Sequence, residues 1–273
     1  MTDRFKKFYE LAGQKYPEDE ITYTSLSGIM RKKWVTGKIA ALPAGSLLDC
    51  GCNIGRLGAR WKKGKVVGID ISLSVLKRGK MIFPEICFIN GDLRTIGFLK
   101  DDSIDNAIAI EVIEHLDKPE DFLKGLYRVV KIGGKVLITA PGYSFFRPKL
   151  VDLGIIKTFG IDRGTEGDQY LHTAYKPEEL ARLAEKAGFT VVEEGSFEHE
   201  IRGWVKPLTI MTYLYNGFIA KRAPNSKLNY LFVRAMHALE RNIFFILETM
   251  GFSVLLRTMF KEGRRSHVLA KKE

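Results

Sequence analysis

Cysteine is scarce: Cys50, Cys52 and Cys87 are the only three in 273 residues. An odd, sparse set argues against a disulfide framework and for a reducing, cytoplasmic compartment. Cys50 and Cys52 have no second Cys/His pair at zinc spacing, which leaves them as small residues in a tight turn. No run reaches the roughly 18 apolar residues of a membrane span. The polar start, Met-Thr-Asp-Arg-Phe-Lys-Lys, lacks the apolar stretch of a secretory signal. Two phosphate-cradling loops are missing as well. There is no Gly-x-Gly-x-x-Gly, and no Gly-Lys followed by Ser or Thr. Internal repeats and low-complexity tracts are absent.

What is abundant is positive charge. The chain carries a formal +11, with ordinary apolar (45%) and charged (27%) fractions, so it reads as globular with an anionic partner or a lysine-rich solvated surface. Residues 200–265 hold eleven Lys/Arg against four Asp/Glu, a net +7 of that total.

Periodicity divides the chain into four parts. Residues 1–42 form an N-terminal helical cap, with helices over Arg4–Ala12 and Ser25–Ala41 separated by Pro17 and Glu18-Asp-Glu20. Residues 43–197 alternate strand and helix, which predicts a doubly wound, mostly parallel α/β sheet. Strands are expected at Ser46–Asp49, Val66–Asp70, Ile86–Asn90, Ile104–Ile110, Lys135–Ala140 and Thr190–Glu194. Helices are expected at Ser74–Lys80, Pro119–Val130 and Pro177–Lys186. Gly133-Gly134 is read as a turn, and the stretch after Pro141-Gly142, to about Leu171, as irregular. Residues 198–262 are a basic, apolar helical insertion. Within it Leu228, Leu231, Ala235, Leu239, Ile243, Ile246 and Met250 recur at helical steps, and Leu208–Ala220 and Ile243–Leu256 are apolar runs. Residues 263–273 supply a last core strand, His267–Lys271.

The first strand-to-helix turn of such a sheet is a ligand site by topology. Here it reads Leu47-Leu-Asp-Cys-Gly-Cys-Asn-Ile-Gly55. Asp49, just before the turn, would repel a pyrophosphate and suits an ammonium or sulfonium. Gly51 and Gly55 let backbone approach a ligand, and Asn53 is the best non-glycine residue where φ must be positive. Asp70, at the end of the second strand, is placed to accept ribose hydroxyls. Asp92, at the end of the third, is placed to accept from an adenine amino group.

Together with Gly68-Ile-Asp-Ile-Ser72, Asn90-Gly-Asp-Leu93, Asp105–Leu116 and Val130–Ile138, this turn resembles the successive motifs of class I S-adenosylmethionine-dependent methyltransferases. The closest branch is the one with small-molecule, quinone and lipid acceptors. The resemblance implies a seven-stranded sheet with an antiparallel last strand and S-adenosylmethionine across the strand ends. It implies cofactor contacts from Asp49, Gly51, Cys52, Asn53, Gly55, Asp70, Ile71, Asp92, Leu93 and Glu111. Asn53 departs from the glycine usual in the family.

Methyl transfer from a sulfonium needs alignment above all, and a base only for a protonated acceptor. His115, in Glu111-Val-Ile-Glu114-His115, is the candidate base. No metal is assigned, although the Glu-x-x-Glu-His string also resembles a divalent-metal site that His172 could complete. Arg31 and Tyr23 are expected to cover the site and meet the cofactor carboxylate. Four uses of the insertion stay open. It could be a cap for a lipid-linked acceptor at a membrane surface, a homodimer interface, or an ordinary cap packed on the sheet. RNA binding ranks last, because no nucleic-acid module is recognisable. The expected activity is methyl transfer to a small or lipid-like acceptor. The competing readings are a catalytically silent cofactor-binding scaffold and an RNA methyltransferase.

Overall fold

The computed structural model describes residues 2–142, 147, 149–199, 211, 214–215, 218, 227–259 and 262–273. Three helices open the chain: α1 (Thr2–Lys15), α2 (Glu18–Ile21) and α3 (Leu26–Ala40). Pro17 ends α1 but also starts the short turn of α2, where its fixed φ is compatible with helix. Ser25 caps α3, its hydroxyl accepting from the Gly28 amide at 3.0 Å.

The alternating part follows as β1 (Leu47–Cys50), β2 (Val66–Asp70), α4 (Leu73–Ile82), β3 (Cys87–Asn90), β4 (Ile104–Ile110), α5 (Pro119–Val129) and β5 (Val130–Pro141). A small ribbon, β6 (Leu150–Asp152) and β7 (Gln169–Leu171), precedes α6 (Pro177–Lys186) and β8 (Thr190–Phe197). After the insertion helices α7 (Lys227–Thr249) and α8 (Phe252–Met259), β9 (Arg265–Lys271) returns to the sheet. The strand order is β3-β2-β1-β4-β5-β9-β8. β9 runs antiparallel to both neighbours, while the other pairings are parallel. This is the expected seven-stranded doubly wound sheet with a reversed last strand. The order reverses between β1 and β4, so a crevice opens beyond their carboxyl ends.

The central strands are buried on both faces, which is why they read as nearly continuous apolar runs. Alternate residues feed two cores. Leu48, Ala107 and Val136 pack with Phe122, Leu123 and Leu126 of α5 and Leu180 of α6. Leu47, Ile108 and Leu137 pack on the other face with Val35 and Ile39 of α3 and with Trp61.

Two expectations need correction. Gly133-Gly134 does not turn the chain into a new strand; it is a bulge inside β5. Val130 pairs with Ile104 and Lys135 with Asn106, and the extra residues are accommodated by Gly133 at φ +83°. The bulge is satisfied from the far terminus, by Gly133 N to Lys272 O and Lys272 N to Gly134 O. The segment read as irregular contains the antiparallel β6–β7 ribbon, held in register by three residue pairs. On α7, Leu228, Leu231, Leu239, Ile246 and Met250 of the apolar stripe are exposed, while the buried face is Asn229, Val233 and Phe244. The apolar run over Ile243–Leu256 is broken by Gly251 at φ +79°, which separates α7 from α8. The run over Leu208–Ala220 lies largely outside the described residues.

Phe122 is fully buried between the sheet and α6. Phe122→Ala should lower the unfolding free energy by about 3–5 kcal/mol. Denaturant titration measures this, and a loss below about 1 kcal/mol would show that this core is not tightly packed.

Candidate functional site

A cleft lies over the carboxyl ends of β1 to β4. Its floor is Gly51, Asn53, Asp70, Ile71, Asp92, Leu93, Glu111 and His115. The N-terminal helices close the opposite side with Phe5, Tyr9, Glu18, Thr22, Tyr23, Arg31 and Lys32.

The β1 turn has the expected backbone. Gly51 stands at φ +68°, where an added Cβ would lie 2.4 Å from Val112 Cγ2. Asn53 adopts φ +51°, its amide donates to Asp70 Oδ2 at 2.8 Å, and its side chain donates to Glu18 Oε2 at 2.7 Å. Asp70 also accepts from the Ser72 amide at 2.9 Å. Burial raises the Asp70 pKa against the pull of these amides. Asp92 caps the turn that follows β3 and is gripped by Arg94, with Nη2 to Oδ2 at 2.6 Å. Burial opposes ionisation of Asp92, but the Arg94 hydrogen bonds and charge outweigh it and hold the carboxyl below its ordinary range. The Arg94 guanidinium in turn lies 4.1 Å over the Phe5 ring, which ties α1 to the cleft.

Three of the sequence-derived residues do not reach the cleft wall. Asp49 is 3% exposed and accepts from the Gly58 amide at 3.0 Å, beneath the turn. Both faces of β1 are covered, so its last residues point into protein. Burial pushes the Asp49 carboxyl up to about 7. Cys52 is buried against Ile54, Val75 and Leu76, and Gly55 is packed under Ile86 and Phe88. These residues shape the turn from behind.

After β4, Glu111 turns at φ +56° into the cleft. Its Oε2 receives Arg265 at 2.7 Å and Arg31 at 3.1 Å, and its Oε1 accepts from Thr139 Oγ1 at 2.9 Å. Burial favours the neutral acid, yet the two arginines hold Glu111 below the ordinary range. Arg31 therefore lines the cleft, as expected, but its charge is already matched there. Glu114 shows the opposite balance. It is 1% exposed, its Oε2 accepts no hydrogen bond among the described residues, and burial with the neighbouring Glu111 charge raises its pKa well above normal.

His115 Nδ1 lies 2.9 Å from the Leu171 carbonyl of β7. A carbonyl only accepts, so Nδ1 carries the proton and Nε2 keeps its lone pair. Burial lowers the pKa of His115, and it lowers that of His172 to about 3. The imidazoles of His115 and His172 lie 5.2 Å apart, Tyr9 meets His115 edge-on at 5.7 Å, and Tyr170 stands beside both histidines. The Tyr9 hydroxyl is buried and has no hydrogen-bond partner among the described residues. One ligand atom each from Glu114, His115 and His172 fall within 4.8 Å of one another.

Tyr9, Arg265 and Tyr170 went unnoticed in the sequence. The helical spacing of α1 could have flagged Tyr9 as inward-facing. No local signal marks Arg265, which reaches the site only because β9 lies beside β5.

A family model of a methyltransferase domain matches residues 48–138. A demethylmenaquinone methyltransferase of Renibacterium salmoninarum is 29% identical over 137 residues, covering 48% of this chain and 57% of that protein. The chain thus spans little more than half the length of this relative. A ubiquinone biosynthesis O-methyltransferase of Paracidovorax citrulli is 28% identical over 203 residues, 71% of this chain and 83% of the relative. The solved 1,6-didemethyltoxoflavin-N1-methyltransferase of Burkholderia thailandensis, bound to 1,6-didemethyltoxoflavin and S-adenosylhomocysteine, superposes with a TM-score of 0.56 at 11% identity. It covers 98% of this chain and 87% of its own, a likeness of fold.

A raised carboxyl pKa in the native state makes stability fall as pH rises. For Asp49 the window runs from about 4, the unfolded value, to about 7. Asp49→Asn should remove this fall, worth up to about 1.4 kcal/mol per pH unit of the window. The check is melting temperature against pH for both proteins. Parallel curves between pH 4 and 8 would refute the assignment.

Proposed function

With residues 48–138 forming a methyltransferase domain on the class I fold, we propose that the chain transfers a methyl group from S-adenosylmethionine to a small or lipid-like acceptor. The observation that carries this reading is the convergence of Gly51, Asp70, Asp92 and Glu111 on one cleft at the switch point of the sheet. The cofactor supplies an electrophilic methyl on a sulfonium that leaves without further activation. The residues present fit it. Asp70 offers carboxylate oxygens beside a backbone held close by Gly51 and Asn53. Asp92 and Leu93 form the next stretch of wall, where an adenine would lie.

His115 is the base in this reading. It sits on the cleft wall, neutral, with Nε2 available to take a proton from an acceptor hydroxyl. Tyr9 and Tyr170 flank it and Phe5 lies beside Tyr9, an aromatic surface that suits a flat or apolar acceptor. The demethylmenaquinone named for one relative belongs to that chemical class, and another relative is named for ubiquinone biosynthesis.

A second reading is favoured by the Glu114–His115–His172 cluster. A carboxylate oxygen without a donor, and an imidazole anchored on a backbone carbonyl through its other nitrogen, are what a divalent cation needs. There His115 would be a ligand rather than the base, and the ion would polarise the acceptor oxygen. Turnover after chelation separates the two: an unchanged rate keeps His115 as base, and a loss restored by Mg²⁺ or Zn²⁺ moves it into the ligand set.

Two variants test the main reading. Asp70→Asn should weaken S-adenosylmethionine binding by about ten-fold or more in calorimetric titration, the scale of one charge-assisted hydrogen bond. His115→Ala should leave that affinity within a few-fold while lowering S-adenosylhomocysteine release from a lipid extract by about 10²–10⁴. Binding of S-adenosylmethionine by the wild type without any release would leave a silent scaffold instead.

A further inference from the structure

α7 is a helix with two apolar sides. At 100° per residue, Val233 and Phe244 lie on one side and are buried. Leu228, Leu231, Leu239, Ile246 and Met250 lie on the opposite side and are 41–71% exposed. The 23 residues of α7 extend roughly 34 Å at 1.5 Å per residue, and the exposed stripe runs nearly their full length. Gly251 then turns the chain into α8, where Phe252, Val254 and Leu255 continue the exposed apolar surface. A monomer rarely leaves so long a contiguous stripe in water without something to cover it.

We propose that the α7–α8 hairpin docks the protein on an anionic lipid bilayer, lying in the plane of the interface. The proposal goes beyond methyl transfer and rests on that reading only in taking the cleft as the acceptor's destination. Charge decides the occupant. In the hairpin's own sequence Lys227, Arg234, Arg241 and Arg257 outnumber Glu240 and Glu248 by two, and Arg264 follows in sequence. A second copy seated on the same face would bring two such excesses together. An anionic headgroup layer complements them. The mode of contact follows from α7 itself. Arg234, Glu240, Arg241 and Glu248 interrupt it, and no helix among the described residues is long and apolar enough to cross a membrane. A helix with an apolar stripe and flanking basic residues binds at the interface.

The buried side of α7 links this surface to the cleft. Tyr230 Oη donates to Glu20, Arg241 donates to the Thr24 carbonyl, and His237 Nδ1 lies 3.4 Å from Thr24 Oγ1. Glu18, Thr22 and Tyr23 of the same short stretch line the cleft. Docking through the outer stripe would therefore hold the N-terminal wall of the cleft close to the lipid from which an apolar acceptor leaves.

The test is co-sedimentation of the full chain with vesicles of phosphatidylcholine alone or mixed with phosphatidylglycerol. The protein should pellet with the mixed vesicles at low salt and be released as salt rises. Leu239→Asp combined with Ile246→Asp should weaken that binding by about ten-fold or more. Both positions are exposed, and S-adenosylmethionine titration of the same samples reports whether the double variant is folded. Three results would overturn the proposal: no pelleting with the mixed vesicles, equal pelleting of wild type and double variant, or a dimer in sedimentation velocity that the double variant abolishes without any vesicle binding. Vesicle binding without S-adenosylmethionine binding would instead overturn the methyltransferase reading and leave this one standing.

Discussion

Five carboxylates crowd the carboxyl edge of a sheet whose central strands are buried on both sides, and removing them from water is the cost that organises the rest of the site. Each one meets that cost differently. Asp70 takes two backbone amides from the turns around it. Asp92 takes a guanidinium from its own turn. Glu111, the most demanding, takes Thr139 and two arginines from elements distant in sequence. Asp49 has one amide and titrates near neutrality, and Glu114 keeps an oxygen without a donor. A buried charge is tolerated only when paired and hydrogen-bonded, so the poorly served groups become neutral or become available to a ligand.

The same constraint explains why the N-terminal helices and the last strand both belong to the cleft. Arg31 arrives on α3 and Arg265 on β9, and they meet on a single Glu111 oxygen. Around this pair the geometry continues outward. Arg265 also lies 3.7 Å from Glu198, which is itself 3% exposed and accepts from Ser27 of α3 at 2.7 Å. The cap and the sheet are thus joined by alternating charges as well as by apolar packing.

His115 illustrates how a ribbon outside the main sheet sets chemistry inside it. The Leu171 carbonyl selects its tautomer, and Tyr170 and His172, either side of Leu171, supply the neighbouring rings. Burial keeps the imidazole neutral, the form that can accept a proton or bind a cation. The insertion stands in a similar relation to the N-terminal helices. α7 secures the stretch between α2 and α3 from one side and turns an apolar stripe to solvent on the other.

Local pattern was sufficient for much of this protein. The parallel strands β1, β2 and β4, the start of α3 at Ser25, and the left-handed Asn53 follow from hydrophobic runs, turn residues and the steric limits on φ, all of which act over a few residues. So do Asp70 and Asp92 as wall residues, because a strand end in a doubly wound sheet opens into the crevice. The remainder required the tertiary structure. Whether Asp49 faced ligand or core depended on what covered β1. Whether Gly133-Gly134 was a turn or a bulge depended on Lys272 at the far end of the chain. The partners of Glu111 depended on strand order, which brings Arg265 beside a residue 154 positions earlier. The apolar periodicity of α7 correctly marked a helix, but period alone does not say which side meets the protein. Val233 and Phe244 hold the buried side, from which Tyr230 and Arg241 bond to the N-terminal segment, and the longer stripe faces out.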